Sequence, residues 1–89
     1  MYILKCNNGL YYTGSTINLD QRLIQHEAGE GAIFTRKHLP VQLVYFEKFS
    51  RIDEAFGREK QIQGLSRAKK EALIKGDFEL LVQLSKSKK

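Results

Sequence analysis

A short polar turn between two apolar runs constrains the fold of this chain more than any other feature of its sequence. Residues 2–6 read Tyr-Ile-Leu-Lys-Cys and residues 10–14 read Leu-Tyr-Tyr-Thr-Gly, with Asn7-Asn8-Gly9 between them. Aromatic and β-branched residues favour strands, and an Asn-Gly pair favours the tight turn that joins two antiparallel strands. This segment therefore predicts a β-hairpin.

The alternation of side chains along a strand assigns the hairpin residues to faces. Tyr2, Leu4 and Cys6 share one face of the first predicted strand. Leu10, Tyr12 and Gly14 share one face of the second. Whether these two faces coincide depends on the register, which the sequence leaves open.

Helices and one further strand are predicted after the hairpin. Asn18 is a typical helix N-cap, with Gln21 three residues later as its reciprocal partner. Glycines at 29 and 31 end that helix. The later segments predict a loop over 31–40, a strand over 41–49 with Leu43, Tyr45 and Phe49 as one apolar set, and helices over 51–63, 66–75 and 77–84. This succession predicts one α+β domain with a small antiparallel sheet, its main part being residues 1–76 and its C-terminal helical piece and basic tail residues 77–89.

One carboxylate stands where the helical pattern predicts an apolar side chain. In the helix over 51–63, an apolar stripe is formed by Ile52, Ala55, Phe56 and Ile62, and Glu59 falls in its middle. Because a buried carboxylate without a partner costs several kcal/mol, we expect a cation beside Glu59. A metal ion, an arginine or a lysine would each serve.

Two polar side chains share a face of the first predicted helix. Leu19 and Leu23 define its buried direction. At 100° per residue, His26 lies within about 20° of Leu19, and Arg22 lies at the edge of the same face. His26 is therefore predicted to lie on the buried face of this helix, with Arg22 at the edge of that face.

The charge balance favours a polyanionic partner. Fifteen lysines and arginines against ten acidic residues leave a net charge of +5, which places nucleic acid first among the partner classes. Arg36 and Lys37 in the predicted loop are candidate contacts to its backbone, as are Lys69 and Lys70 on a later helix. A solvated loop is the alternative for the first pair, and a solvated helix face is the favoured interpretation of the second.

Other features exclude several classes of protein. The single cysteine, Cys6, cannot form an internal disulfide or a cysteine-based zinc site and is predicted to be a small buried residue of the first strand. No segment approaches the ~20 apolar residues that a membrane span requires, and the pattern of a signal peptide is absent. We therefore expect a cytoplasmic protein of a single domain.

Five side chains have the chemistry that phosphodiester hydrolysis requires. That reaction needs a base for the attacking water, a cation for the charge developing on phosphorus, and usually a metal ion. Glu59 is a hard oxygen ligand suited to Mg²⁺ or Mn²⁺, and Arg22 can hold a phosphate with two hydrogen bonds. Tyr2, Tyr12 and His26 are the candidate proton-transfer groups.

In their order and spacing these residues resemble the GIY-YIG nuclease domain. The motifs are Tyr2-Ile3-Leu4, Tyr12-Thr13-Gly14, Arg22 with His26 four residues later, and Glu59 within Arg58-Glu59-Lys60-Gln61-Ile62. The resemblance runs from Tyr2 to about Leu73. It includes Gly31-Ala32, Thr35, Leu39-Pro40-Val41 and Ser66-Arg67, which look like the small stand-alone bacterial members.

The resemblance implies a fold and an activity. The fold would be α+β, with a three-stranded antiparallel sheet flanked by three or four helices. The activity would be that of an endonuclease dependent on Mg²⁺ or Mn²⁺, acting on nucleic acid, with DNA favoured over RNA, in repair or recombination. Larger members rely on attached domains for targeting, so substrate choice here would come from the domain's own surface or from a partner protein.

The resemblance also implies a role for each matching residue. Glu59 would be the carboxylate ligand of the metal. Tyr2 and Tyr12 would lie in the active site, one of them helping to deprotonate the attacking water. Arg22 would steady the scissile phosphate, and His26 would handle a proton or contact the phosphate.

Each of these residues also has a purely structural interpretation. For Glu59 it is an ion pair at a helix edge, and for Tyr2 and Tyr12 it is cross-strand packing. For Arg22 it is a buried ion pair with a carboxylate. For His26 a hydrogen-bonded core position is as well supported as a catalytic one.

Two other functions compete with the nuclease hypothesis. The first is a nucleic-acid-binding module of the same fold with weak or no catalytic activity, which would bind in a salt-dependent manner without Glu59. The second is a protein-interaction domain with a basic surface, which would have no affinity for nucleic acid at physiological salt.

Overall fold

The fold was examined in a computed structural model that describes residues 1–86. The elements in chain order are β1 (Tyr2–Lys5), β2 (Tyr11–Gly14), α1 (Leu19–Glu27), α2 (Ile33–Lys37), β3 (Gln42–Phe46), α3 (Ile52–Gln63), α4 (Arg67–Lys75) and α5 (Phe78–Lys86). The strands form one antiparallel sheet in the order β2-β1-β3, so β1 is central. The α+β class and the three-stranded sheet are confirmed, and the described residues contain five helices where three or four were predicted.

The hairpin forms as predicted, and its register settles the question of faces. Tyr2 pairs with Gly14 and Leu4 pairs with Tyr12, so the two sets of alternate residues lie on the same side of the sheet. Gly9 has φ +85°, a left-handed conformation that glycine adopts without steric cost, and it makes the turn between the strands.

The third strand is shorter than predicted and carries an irregularity. Ile3 pairs with Tyr45, but the next residue of β1, Leu4, pairs with Leu43, which leaves Val44 as an extra residue in β3. Such a bulge moves the residues on its two sides to opposite faces. The prediction that Leu43 and Tyr45 share a face is therefore wrong.

The hydrophobic core lies on the Ile3 side of the sheet, beneath the helices that follow β3. Four buried residues form its centre, and seven partly buried ones pack around it. The central residues are Met1, Ile3, Ile62 and Leu73, and those around them are Tyr11, Val44, Tyr45, Phe49, Leu65, Ile74 and Leu81. The other side of the sheet, which carries Tyr2, is left for α1 and α2.

Helix α3 buries a narrower stripe than its sequence pattern predicted. Ala55 and Ile62 are buried, whereas Ile52 is 51% and Phe56 49% exposed. At 100° per residue Glu59 lies about 40° from Ala55, at the rim of the buried sector. Glu59 is half-buried, so the prediction of a carboxylate in the middle of a buried apolar stripe is wrong.

A short helix occupies the middle of the predicted loop over residues 31–40. Helix α2 is only five residues long, and its N-cap residue, Ala32, makes no side-chain capping hydrogen bond. The sequence therefore lacks the usual signal for a helix start. This helix matters for function because it borders the Tyr2 side of the sheet.

Capping residues begin helices α1 and α4 where the sequence predicted. The Asn18 side chain accepts a hydrogen bond from Gln21 N at the start of α1, and Ser66 Oγ accepts one from Lys69 N at the start of α4. Gly76 ends α4 with φ +75°. Cys6 is buried, as predicted, and no helix of the described residues is long and apolar enough to cross a bilayer.

Two glycines provide a test of these backbone assignments. A Cβ added at Gly57, inside α3, would meet no atom within 4 Å, so Gly57→Ala is expected to raise the free energy of unfolding. The expected gain is about 0.5–1 kcal/mol, because alanine favours the helix. Gly76→Ala is expected to lower stability by about 1 kcal/mol, because its left-handed φ penalises any Cβ. Urea denaturation measures both, and a Gly76→Ala protein as stable as wild type would contradict the cap.

Candidate active site

The centre of the candidate site is a buried hydrogen bond between β1 and α1. Tyr2 Oη lies 2.9 Å from His26 Nε2, with Tyr2 1% and His26 0% exposed. Two buried polar groups thus satisfy each other across the interface between sheet and helix. The predicted position of His26 on the buried face of α1 is confirmed.

Two glycines make room for these two rings. A Cβ added at Gly14 would overlap Tyr2 Oη, and one added at Gly31 would overlap His26 Nδ1. Both positions therefore exclude every residue larger than glycine unless the ring moves. Gly14, which follows Tyr12-Thr13 in the sequence, thus leaves room for the ring of Tyr2 on the neighbouring strand.

The second nitrogen of the His26 ring contacts a threonine of α2. His26 Nδ1 lies 2.8 Å from Thr35 Oγ1, and the Thr35 hydroxyl donates to the Ala32 carbonyl at 3.0 Å. Since the hydroxyl proton is already used, Thr35 Oγ1 must accept from His26 Nδ1–H. Nε2 then carries a free lone pair and accepts the phenolic proton of Tyr2.

Arg22 joins this cluster from the exposed side. Its Nε donates to Tyr2 Oη at 3.3 Å and its Nη1 to Gln25 Oε1 at 3.0 Å. The pKa of Arg22 is raised, chiefly by the hydrogen bond with Tyr2 and further by Tyr12. The guanidinium has five N–H donors, so those outside these two bonds can address an anion.

Tyr12 lies beside the same cluster but reaches towards solvent. Its ring centroid is 6.5 Å from that of Tyr2 and 5.5 Å from that of His26, and the residue is half-buried. On its other side it stacks almost parallel to Phe34, with centroids 6.4 Å apart and planes 18° apart. Tyr12 is therefore the motif tyrosine that a substrate can approach.

Burial sets the protonation states of the inner pair. Burial raises the pKa of Tyr2, although the hydrogen bond and charge of Arg22 partly oppose this. Burial, and then the charge of Arg22, lowers the pKa of His26 below 6.5. At neutral pH a protonated phenol therefore faces a neutral imidazole, which is the arrangement that the hydrogen-bond pattern requires.

Glu59 approaches the site from the opposite side of the sheet. Gln63 Nε2 donates to Glu59 Oε2 at 2.7 Å and to the Thr13 carbonyl at 3.4 Å, which ties the end of α3 to β2. The charge of Glu59 also contributes to the raised pKa of Tyr2. The carboxylate therefore belongs to the same electrostatic environment as the tyrosine.

In the described part of the chain, the cation whose charge interacts with Glu59 is the Met1 ammonium rather than a lysine or arginine side chain. The described residues form three salt bridges, and none involves Glu59. The neighbouring Arg58 instead binds Glu47 through Nε at 2.8 Å and Nη2 at 3.1 Å. The ion-pair alternatives for Glu59 and Arg22 are therefore not realised here.

The protein ligands available at Glu59 fit a Mg²⁺ site better than a structural Zn²⁺ site. Within residues 1–86 no group of three histidine, cysteine or acidic side chains is placed to hold a metal. Mg²⁺ commonly uses one or two carboxylates and completes its shell with water and substrate phosphate, whereas structural Zn²⁺ needs four protein ligands. The single carboxylate of Glu59, whose charge acts on Tyr2, meets the first requirement.

The predicted basic contacts lie on two helices. Arg36 and Lys37 are exposed on α2, the helix that supplies Thr35. Lys69 and Lys70 on α4 are half-buried, and Lys70 lines a surface cleft. Their positions differ from the fully solvated helix face that the sequence favoured.

Three contributing residues were given no role from the sequence. Thr35 appeared in the motif resemblance, but its contact with His26 depends on α2, which the sequence did not predict. Phe34 lies one residue earlier on the same helix. Gln63 stands four residues after Glu59, a spacing that places side chains together on a helix and could have suggested the pairing.

Comparisons with known proteins agree with the motif pattern. The GIY-YIG catalytic domain family matches residues 1–72. A UPF0213 protein of Natronomonas pharaonis is 47% identical over 74 residues, covering 83% of this chain and 87% of its own length. A UPF0213 protein of Halobacterium salinarum is 47% identical over 74 residues and is matched over 96% of its length. The solution NMR structure of a UPF0213 protein from Bacillus halodurans superposes with TM-score 0.53 at 42% identity, covering 83% of this chain and 79% of that one.

The assigned proton positions of His26 can be observed by ¹⁵N NMR. At pH 7 we expect a protonated Nδ1 and an unprotonated Nε2, with titration below pH 6.5 because the ring is buried beside Arg22. Thr35→Val removes the acceptor of Nδ1–H and is expected to mix the two tautomers. A single Nε2–H tautomer in the wild type would contradict the assignment.

The lowered pKa of His26 also makes stability depend on pH. In the unfolded chain this histidine takes up a proton near pH 6.5, whereas in the native protein it does so only at lower pH. The free energy of unfolding should therefore fall as pH falls below about 6.5. The pKa of Glu47 is lowered by its hydrogen bonds with Arg58, so its contribution is lost only below about pH 4.5. Burial also lowers the pKa of the Met1 ammonium below its usual value of 8.0, so both groups lower stability as pH falls from 7.5 to 5.5. Urea denaturation over this range should give a steeper pH profile for the wild type than for His26→Gln, and equal slopes would contradict the histidine effect.

Proposed function

This chain belongs to the GIY-YIG catalytic-domain family, and on that basis we propose that it is an endonuclease that hydrolyses phosphodiester bonds in nucleic acid, DNA before RNA. One observation carries the proposal. The side chains of Tyr2, Tyr12, Arg22 and His26 come together from β1, β2 and α1, and the charge of Glu59 acts on the same cluster.

Arg22 is proposed to hold the scissile phosphate. It is half-buried and positively charged, and its bond to Tyr2 Oη fixes its orientation while leaving donors for two phosphate oxygens. Donors fixed in advance stabilise the charge that develops in the transition state without costly rearrangement.

Tyr12, rather than Tyr2, is proposed to meet the attacking water. Tyr2 is 1% exposed and burial raises its pKa, so it retains its proton and holds His26 and Arg22 in place. Tyr12 is half-buried, so a water molecule can reach its hydroxyl, and it lies beside the Arg22 guanidinium that is proposed to hold the phosphate. Tyr12 thus combines access to solvent with a position close to the proposed phosphate site.

Glu59 is proposed to be the protein ligand of a divalent metal. Gln63 holds one carboxylate oxygen and fixes the side chain against β2. A bound Mg²⁺ or Mn²⁺ would offset charge on the phosphate and make the attacking water more acidic. The hard oxygen of Glu59 would hold such an ion close to the phenols.

A second candidate function shares the fold and the basic surface. The burial of Tyr2 and the cations on α2 and α4 are equally compatible with a nucleic-acid-binding module that has little catalytic activity. Salt-dependent binding without turnover would identify that function. In either case we place the protein in the cytoplasm, with substrate choice made by its own surface or by a partner protein.

Glu59→Gln tests the metal-ligand role directly. The change keeps the size of the side chain but removes the charge, so Mg²⁺-dependent cleavage of DNA should fall by about 100-fold or more. Glu54→Gln, on an exposed part of the same helix, is the matched control and should cleave as wild type does. Equal cleavage by wild type and Glu59→Gln would mean that Glu59 does not bind the catalytic ion.

Separate substitutions of the two motif tyrosines test their proposed division of labour. Tyr12→Phe removes the proton acceptor and should lower kcat by ~100-fold or more. Tyr2→Phe leaves the water contact intact and should cost about tenfold, through a less well held Arg22. Tyr45→Phe, on the core side of the sheet, controls for loss of a phenol. A larger loss for Tyr2→Phe than for Tyr12→Phe would assign the base to Tyr2 instead.

A further inference from the structure

A surface cleft next to the candidate active site has the chemistry of a nucleotide-binding site. It lies between α2 and α4 at the end of the hairpin, has a volume of about 290 Å³, and is lined by Leu10, Tyr11, Phe34, Arg67 and Lys70. This volume is near the lower end of the range for small-molecule sites, which fits one base and its sugar better than a longer segment.

The apolar wall of the cleft is continuous with the active site. Phe34 stacks on Tyr12 with the two planes 18° apart, and the same phenylalanine lines the cleft. Leu10, on the hairpin side, is 46% exposed. A flat ring entering here would meet an aromatic side chain that contacts the proposed catalytic tyrosine.

The polar wall of the cleft carries two cations, Arg67, which is held by neighbouring groups, and Lys70. The Arg67 guanidinium lies 5.0 Å from the Tyr11 ring centroid, donates to the Gly9 carbonyl at 3.0 Å and pairs with Glu71 at 3.2 Å. Lys70 forms no salt bridge within residues 1–86. Because Glu71 offsets Arg67, the unpaired charge of Lys70 gives the cleft a net attraction for an anion.

We propose that this cleft binds an unpaired nucleotide next to the scissile phosphate, with its base against Phe34 and its phosphate near Lys70. An aromatic platform combined with a basic edge is the arrangement by which proteins bind single-stranded nucleic acid. A paired base within a duplex is stacked on its neighbours and cannot offer its face to Phe34. The proposal rests on the nuclease function and specifies its substrate as a strand that is single or locally unpaired at the cleavage site.

Binding measured without catalysis separates this proposal from the nuclease function. The full chain with Glu59→Gln, in EDTA, is titrated with a fluorescein-labelled 12-nucleotide single strand and with the blunt duplex of the same sequence. The single strand should bind more tightly. In that background Phe34→Leu should weaken single-strand binding by about fivefold or more and leave duplex binding unchanged, because a stacked base is lost.

Matched variants guard against trivial explanations. Phe34→Trp keeps an aromatic face and should retain single-strand binding, which shows that the loss in Phe34→Leu is not caused by misfolding. Phe78→Leu, at an exposed phenylalanine of α5, should have no effect. Lys70→Gln should lower the salt dependence of single-strand binding by about 0.7 in slope. Lys75→Gln, which removes the same charge from the exposed end of α4, should leave that slope unchanged.

The outcomes that overturn each proposal differ. The proposal of nucleotide binding in the cleft is overturned if Phe34→Leu leaves single-strand affinity unchanged. It is also overturned if the parent protein binds single strand and duplex equally well. In both cases, metal-dependent cleavage by the wild type would still support the nuclease function. Failure to bind either nucleic acid, together with absence of cleavage by the wild type, overturns both.

Discussion

The structure depends above all on the buried hydrogen bond between Tyr2 and His26. Each group would cost about 1–3 kcal/mol if it were buried without a partner, so the pair holds β1 and α1 in one relative position. Thr35 completes the chain of bonds and brings in α2, while Gly14 and Gly31 leave room for the two rings. The interactions that dock these two helices on the sheet therefore include the one that orients Arg22.

One face of the sheet carries the hydrophobic core, and the other carries the polar cluster of the candidate site. Alternate residues of β1 point to opposite sides, so Ile3 enters the hydrophobic core while Tyr2 enters the polar cluster. Gln63 is the link between the sides, since it binds both Glu59 and the backbone of β2. A carboxylate carried by a helix on the core side can thus act on a tyrosine of the other side without being buried in the core.

Local signals in the sequence predicted the hairpin, the helix caps and the face of α1 that carries His26. Each of these depends on residues that are near one another in the chain, such as Asn18 with Gln21. The bulge in β3, helix α2 and the surroundings of Glu59 were not predicted, because they depend on contacts between distant segments. The motif spacing predicted side chains that the fold brings together, but the half-buried position of Tyr12 and the contacts of Thr35 and Gln63 could be seen only in the fold.

The sequence separation of these contacts has a consequence for the order in which the site assembles. The bond from Tyr2 to His26 spans 24 residues and that from His26 to Thr35 spans 9, whereas the contact of Gln63 with Thr13 spans 50. Since closing a longer loop costs more entropy, the tyrosine–histidine cluster can form while the chain after β3 is still unfolded. Among the elements of the candidate site, α3 with Glu59 joins last, so a chain emerging from the ribosome would acquire the proposed metal ligand only after the tyrosine–histidine cluster.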